Sequence, residues 1–196
     1  MQLKWTAVAL AALTLVACGK KEEAAAPAVT PAPTAAAPAP AAPPADALVV
    51  KIGHVGPTSG PIAHLGKDNE LGAKMAIEDL NAKGFKIGDK VAKFVLVPED
   101  DAGDPKQGTA VAQKLVDEKV NGIVGHLNSG TTIPASKLYS DAGIPQVSPS
   151  ATNPKYTRQG FKTTFRVVAD DTQLGGTLGK YAVETLKGKN IAVIDD

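Results

Sequence analysis

Cysteine is almost absent from this sequence: Cys18 stands alone, so no disulfide can form within the chain. Aromatic residues make up 4% of it, too few to build a stacking platform for bases or sugars. The formal net charge is +1, neither basic enough to mark a nucleic-acid partner nor acidic enough to mark a solvating tail. Long apolar runs are missing too. The longest, residues 5–17, would span ~20 Å as a helix against ~30 Å of hydrocarbon, too short for a permanent membrane crossing. What is present is a chain of 196 residues, 43% of them hydrophobic, enough for one or two globular units.

The N-terminus reads as an address. One positive charge precedes the apolar run, and small residues lead into Cys18, the pattern of a secretory signal. Leu15, Val16, Ala17 and Cys18 also resemble a bacterial lipobox, which implies a leader of residues 1–18 and lipid attachment at Cys18; an ordinary cleavable signal with an incidental thiol is the alternative. One acyl chain holds a protein only marginally, so anchoring there requires several. Residues 19–46 are polar and then rich in Ala and Pro, a composition that cannot pack a core and suits an extended stalk.

From residue 47 onward strand-like and helix-like segments alternate, the signature of an α/β domain with a largely parallel sheet. Strands are expected at residues 48–55, 91–97, 123–127, 144–147 and 163–168. Helices are expected at 68–82, from Asp104 and Pro105 onward, after the turn 128–132 with Pro134 in the first turn, and at 172–187. Gly84, Gly143 and Gly188 serve as stops. In the first helix Ala73, Ala76, Ile77 and Leu80 recur at the spacing of one buried face, and in the second Val111, Ala112, Leu115 and Val116 do so. A new strand begins at Asn190 and runs to Ile194.

Two of the strands empty into hydroxyls: one into Asn128, Ser129, Gly130, Thr131 and Thr132, the other into Ser148, Ser150 and Thr152. Ligands of open parallel sheets sit beyond the carboxyl ends of the strands, so the two turns are expected to face one crevice. At the first turn the free N–H groups of a helix start, its dipole and several hydroxyls converge, which makes a seat for a carboxylate. Ser129 or Thr131 equally suits a plain helix cap.

Signals for enzymatic chemistry are poor. Gly175, Gly179 and Lys180 miss phosphate-loop spacing by one residue, and Tyr181 stands where Ser or Thr is required. There is neither a dinucleotide-binding glycine motif after the first strand nor a Gly-x-Ser-x-Gly elbow. His54, His64 and His126 lack helical metal-ligand spacing and read as core or loop residues. Glu99, Asp100 and Asp101 read as a solvated strand end rather than a cation site. No catalytic residue, metal or cofactor is expected.

The order of five stretches is recognisable: residues 59–63, 72–84, 100–107 (DDAGDPKQ), 125–136 (GHLNSGTTIPAS) and 148–154 (SPSATNP). Together they resemble the periplasmic binding proteins that deliver leucine, isoleucine and valine to ABC transporters. That resemblance implies a type I periplasmic-binding-protein lobe over residues 47–168, its parallel sheet flanked by helices. Residues 169–196 would then be a hinge and a second lobe only begun. It also implies an extracytoplasmic carrier on the periplasmic side of a bacterial envelope, held there through its lipid. The implied partners are an amino acid or amide and an inner-membrane ABC permease, with no nucleic acid. A sensory domain of the same fold, or a truncated product with little binding of its own, is the alternative. By resemblance Ser129 holds the ligand carboxylate with help from Thr152, while the Ser150 carbonyl and the Thr152 hydroxyl receive the ammonium; Ala151 lies between them. His64 and Leu65 fall in a loop lining the side-chain pocket. Gly103 and Asn128 stand where relatives carry two mutually bonded cysteines. The chain lacks the tyrosine and acidic residues that a second lobe contributes to the ligand.

Overall fold

A computed structural model describes residues 47–193; the leader, Cys18 and the Ala/Pro-rich tract lie outside the described residues, as does Ile194. The described residues open with strand β1 (Leu48–Gly56). It turns through Pro57–Ile62 into helix α1 (Ala63–Ala82), five residues earlier than the apolar spacing predicts. The earlier start follows from the turn itself: the Ala63 N–H donates to Gly60 O and the Leu65 N–H to Ile62 O, so the helical bonding is under way before the first periodic residue. His64 and Leu65 therefore lie on the first turn of α1 and not in a loop.

After Gly84, whose φ of +61° ends the helix as expected, comes a short hairpin that the apolar pattern does not reveal. Strand β2 (Lys86–Ile87) pairs antiparallel with β3 (Lys90–Asp100), with Gly88 at φ +60° in the turn. Asn81 clamps the end of α1 to β3, its side-chain amide bonding both the N–H and the carbonyl of Phe94. Helix α2 (Pro105–Asp117) starts as expected, with the Asp104 carboxylate accepting from the Gln107 N–H at 2.8 Å and proline at the first helical position. Strand β4 (Gly122–Gly125) stops two residues short of Leu127. Helix α3 (Ser129–Asp141) begins at Ser129, so Ser129 to Thr132 are its first turn rather than a preceding one, and Pro134 lies one turn deeper than expected.

Strand β5 (Gln146–Ser148) leads through a 3₁₀ turn at Tyr156–Arg158 to β6 (Thr164–Arg166). Helix α4 (Asp171–Lys180) follows, and a π-helical turn (Tyr181–Thr185) carries it toward Gly188. Residues 191–193 form no strand; a strand needs a ladder partner, and none of the described strands lies beside them.

The sheet order is β2-β3-β1-β4-β5-β6, parallel from β3 to β6. Along β1, Val55 points with α2 and α3 into a closed core of Val111, Ala112, Leu115, Ile123, Ala135, Tyr139 and Ile144. The opposite face carries α1, where Ala73 and Ile77 are buried but Ala76 is exposed. An open apolar groove of about 550 Å³ runs there between α1 and Ile52, Phe94 and Val124. The chain leaves β1 toward β3 on one side and returns across it to β4 on the other. Strand order therefore reverses between β1 and β4, where parallel sheets of this kind open a crevice at their carboxyl ends.

Candidate functional site

The loops at that switch point are positioned by buried polar groups. Asp100, at the end of β3, accepts through Oδ1 from the N–H groups of Thr58 (2.8 Å), Ser59 (3.4 Å) and Ala102 (2.8 Å), binding the loop after β1 to the loop after β3. Burial pushes its carboxyl up, but hydrogen bonds from the Ser59 hydroxyl and these amides outweigh it and leave the pKa below the ordinary value. Asp101 is fully buried and meets His126 Nδ1 at 3.0 Å, while His126 Nε2 lies 3.1 Å from the Tyr139 hydroxyl. Glu99 pairs with Lys114 at 2.6 Å. The acidic run is thus no solvated strand end: two of its three carboxylates are structural anchors, because the strand carries them under the loops it ends among.

His126 also organises the two hydroxyl-rich turns through its carbonyl, which accepts from Thr132 Oγ1 (3.1 Å) and Ser148 Oγ (2.8 Å). The hydroxyls of Thr131 and Thr132 bond Asn128 O and are buried, so they complete the helix start and are not free for a ligand. The N–H groups of Ser129 and Gly130 carry no hydrogen bond to the described residues. Ser129 Oγ accepts the Asn153 N–H at 3.1 Å, and Ser150 Oγ donates to Leu127 O at 3.1 Å. The two turns are stitched directly together, forming one edge of the crevice rather than its two walls.

Of the residues singled out from the sequence, Ser129, Ser150 and Thr152 are brought to this edge and are half-buried. The Ser150 carbonyl has no partner among the described residues. Ala151 is buried at 1% exposure, its N–H on Ser148 Oγ and its carbonyl within reach of Arg166, so it shapes the turn from behind. His64 and Leu65 are exposed on α1. Gly103 and Asn128 do adjoin: a Cβ built at Gly103 would lie 3.9 Å from Asn128 Oδ1. Sequence reasoning passed over Arg166. A lone cation inside an apolar strand was the available signal, since a buried charge needs partners.

Residues 49–196 match a protein family described as periplasmic binding protein. The chain is 46% identical over 147 residues to a leucine-specific-binding protein of Salmonella typhimurium, covering 75% of this chain and 39% of that protein. It is 44% identical over 140 residues to a Leu/Ile/Val-binding protein homolog of Brucella abortus, covering 71% and 37%. Among solved structures it resembles the substrate-binding protein LivJ of a Streptococcus pneumoniae branched-chain amino acid transporter, in complex with isoleucine (TM-score 0.64, 31% identity, 71% of this chain and 39% of that one). It also resembles a Rhodopseudomonas palustris solute-binding protein in complex with 3,4-dihydroxybenzoic acid (TM-score 0.61, 25% identity, 69% and 36%). The chain spans about two fifths of the length of these proteins.

Proposed function

The chain belongs to the periplasmic binding protein family, and from that premise we propose that the complete protein captures a branched-chain or similar amino acid, or an amide of one, for an ABC importer. The observation that carries this reading is the stitched edge at the switch point. Two unbonded N–H groups at the start of α3 and the Ser129 hydroxyl offer donors for a carboxylate. Across the bond from the Asn153 N–H to Ser129 Oγ, the unpartnered Ser150 carbonyl and the Thr152 hydroxyl offer acceptors for an ammonium. An α-amino acid carries those two charges on groups bonded to one carbon. Leu65, 44% exposed, stands in this reading at the side-chain end with His64. The protein is then a carrier, not an enzyme, and its place is the periplasmic side of the envelope, held through lipid on Cys18.

Calorimetry of the complete protein with leucine, isoleucine and valine tests the reading. Ser129→Ala and Thr152→Ala should each weaken binding roughly 10- to 100-fold, the equivalent of the ~1.5–3 kcal/mol of a hydrogen bond to a charged group. Absence of binding to any of the three and to their amides would remove the substrate assignment. Tighter binding of 3,4-dihydroxybenzoate than of leucine would move it to aromatic acids, which share the carboxylate alone.

A further inference from the structure

Arg166 is a cation at the end of β6 with only 7% of its side chain exposed, and both terminal nitrogens of its guanidinium are engaged. Nη1 donates to Asn153 O (3.0 Å) and Ala151 O (3.4 Å); Nη2 donates to Thr157 Oγ1 (3.1 Å) and lies 3.5 Å from Asp170 Oδ2. Asp170 in turn pairs through Oδ2 with Arg158 at 2.9 Å and caps α4 by accepting the Gln173 N–H on Oδ1 at 2.9 Å. One residue on, the Asp171 N–H donates to the carbonyl of Thr152 at 2.9 Å. Among the described residues, these contacts of its first turn are the only hydrogen bonds joining α4 to the sheet and its loops, and the rest of α4 is exposed.

We propose that Arg166 and Asp170 are positioning residues that latch the 150–153 turn to the first turn of α4, so that the turn and the helix leaving the lobe move as one body. The inference deepens the carrier reading and rests on it for its consequence: a ligand that orders the turn also sets the direction in which the chain exits. A planar guanidinium reaches two carbonyls, a hydroxyl and a carboxylate at once, which a point charge cannot do. Its partners come from three separate segments, so losing the carboxylate leaves a buried cation whose remaining bonds fall on the 150–153 turn and Thr157 and none on the start of α4.

Asp170→Asn in the complete protein isolates the latch, because an asparagine oxygen still caps Gln173 while the charge pairing is lost. Amide hydrogen exchange without ligand is read on peptides covering 148–156 and 170–178, together with leucine calorimetry. Exchange should quicken in both segments together, and leucine binding should weaken about tenfold, within the usual range of couplings between sites. If Asp170→Asn loosens 170–178 alone, with 148–156 and the leucine affinity as in the parent, the latch is overturned. If the parent binds no leucine, the carrier reading fails by itself and joint or separate exchange still decides the latch. Should Asp170→Asn not fold, Arg166→Lys gives the same two readouts, since an ammonium keeps the charge but cannot make all four contacts.

Discussion

His54 is 1% exposed on the α1 side of β1, and neither ring nitrogen has a partner among the described residues. Burial above all, then repulsion from His126, lowers its pKa from 6.5 to about 4, with Asp101 opposing. The unfolded chain takes up a proton near pH 6.5 and the folded chain only near pH 4, so stability is fully present above that window and is lost as the pH falls through it. A shift of this size corresponds to ~3 kcal/mol. Urea unfolding of the parent should therefore lose about that much more stability between pH 7 and pH 4 than His54→Leu does. Parallel losses would take His54 out of the account. His126 is also held below its ordinary pKa by burial, against the pull of Asp101. Burial raises the Tyr139 pKa, so Tyr139 keeps its proton and donates it to His126 Nε2; His126 Nδ1–H then donates to Asp101.

At the scale of elements, the loops after β3 and β4 meet without a covalent tie. Gly103, at φ +71°, and Asn128 sit side by side. Gly103→Cys combined with Asn128→Cys should close under oxidising conditions. Closing a loop of about 25 residues is worth ~3.5 kcal/mol. A side chain in the left-handed region at position 103 takes back ~1–2 kcal/mol. The oxidised variant should thus unfold at a higher urea midpoint than the same variant reduced, and identical midpoints would show that the loops do not need the tie. Element boundaries were legible wherever a breaker is local: Asp104 and Pro105, Gly84 and Gly143 all act as read. They were not legible at α3, where a run of hydroxyls suits a turn or a helix start alike. The side chains of Thr131 and Thr132 decide for the helix by bonding Asn128 O.

At the scale of the whole molecule, the sheet is covered unequally. A parallel sheet needs layers on both faces. Helices α2 and α3 close one, while among the described residues α1 alone lies on the other and leaves Ile52, Phe94 and Val124 lining an apolar groove. None of the residues proposed to hold ligand lines it. The 196-residue chain should bind an uncharged apolar dye such as Nile red in this groove, and Ala76→Glu should lower the fluorescence several-fold. Equal signals from parent and variant would place the dye elsewhere.

The sequence by itself determined the alternation of strands and helices, the face that α2 buries and the hydroxyl-rich ends of β4 and β5, because apolar period and turn chemistry are properties of neighbouring residues. The tertiary structure alone decided what the polar groups do. Asp101 and His126 are separated by α2 and become partners only once β3 and β4 flank β1. Arg166 finds Asn153, Thr157 and Asp170 only once β6 lies beside β5. A charge in a strand announces that it needs a partner; which partner it gets depends on strand order and register, and those are settled by the packing of the whole sheet.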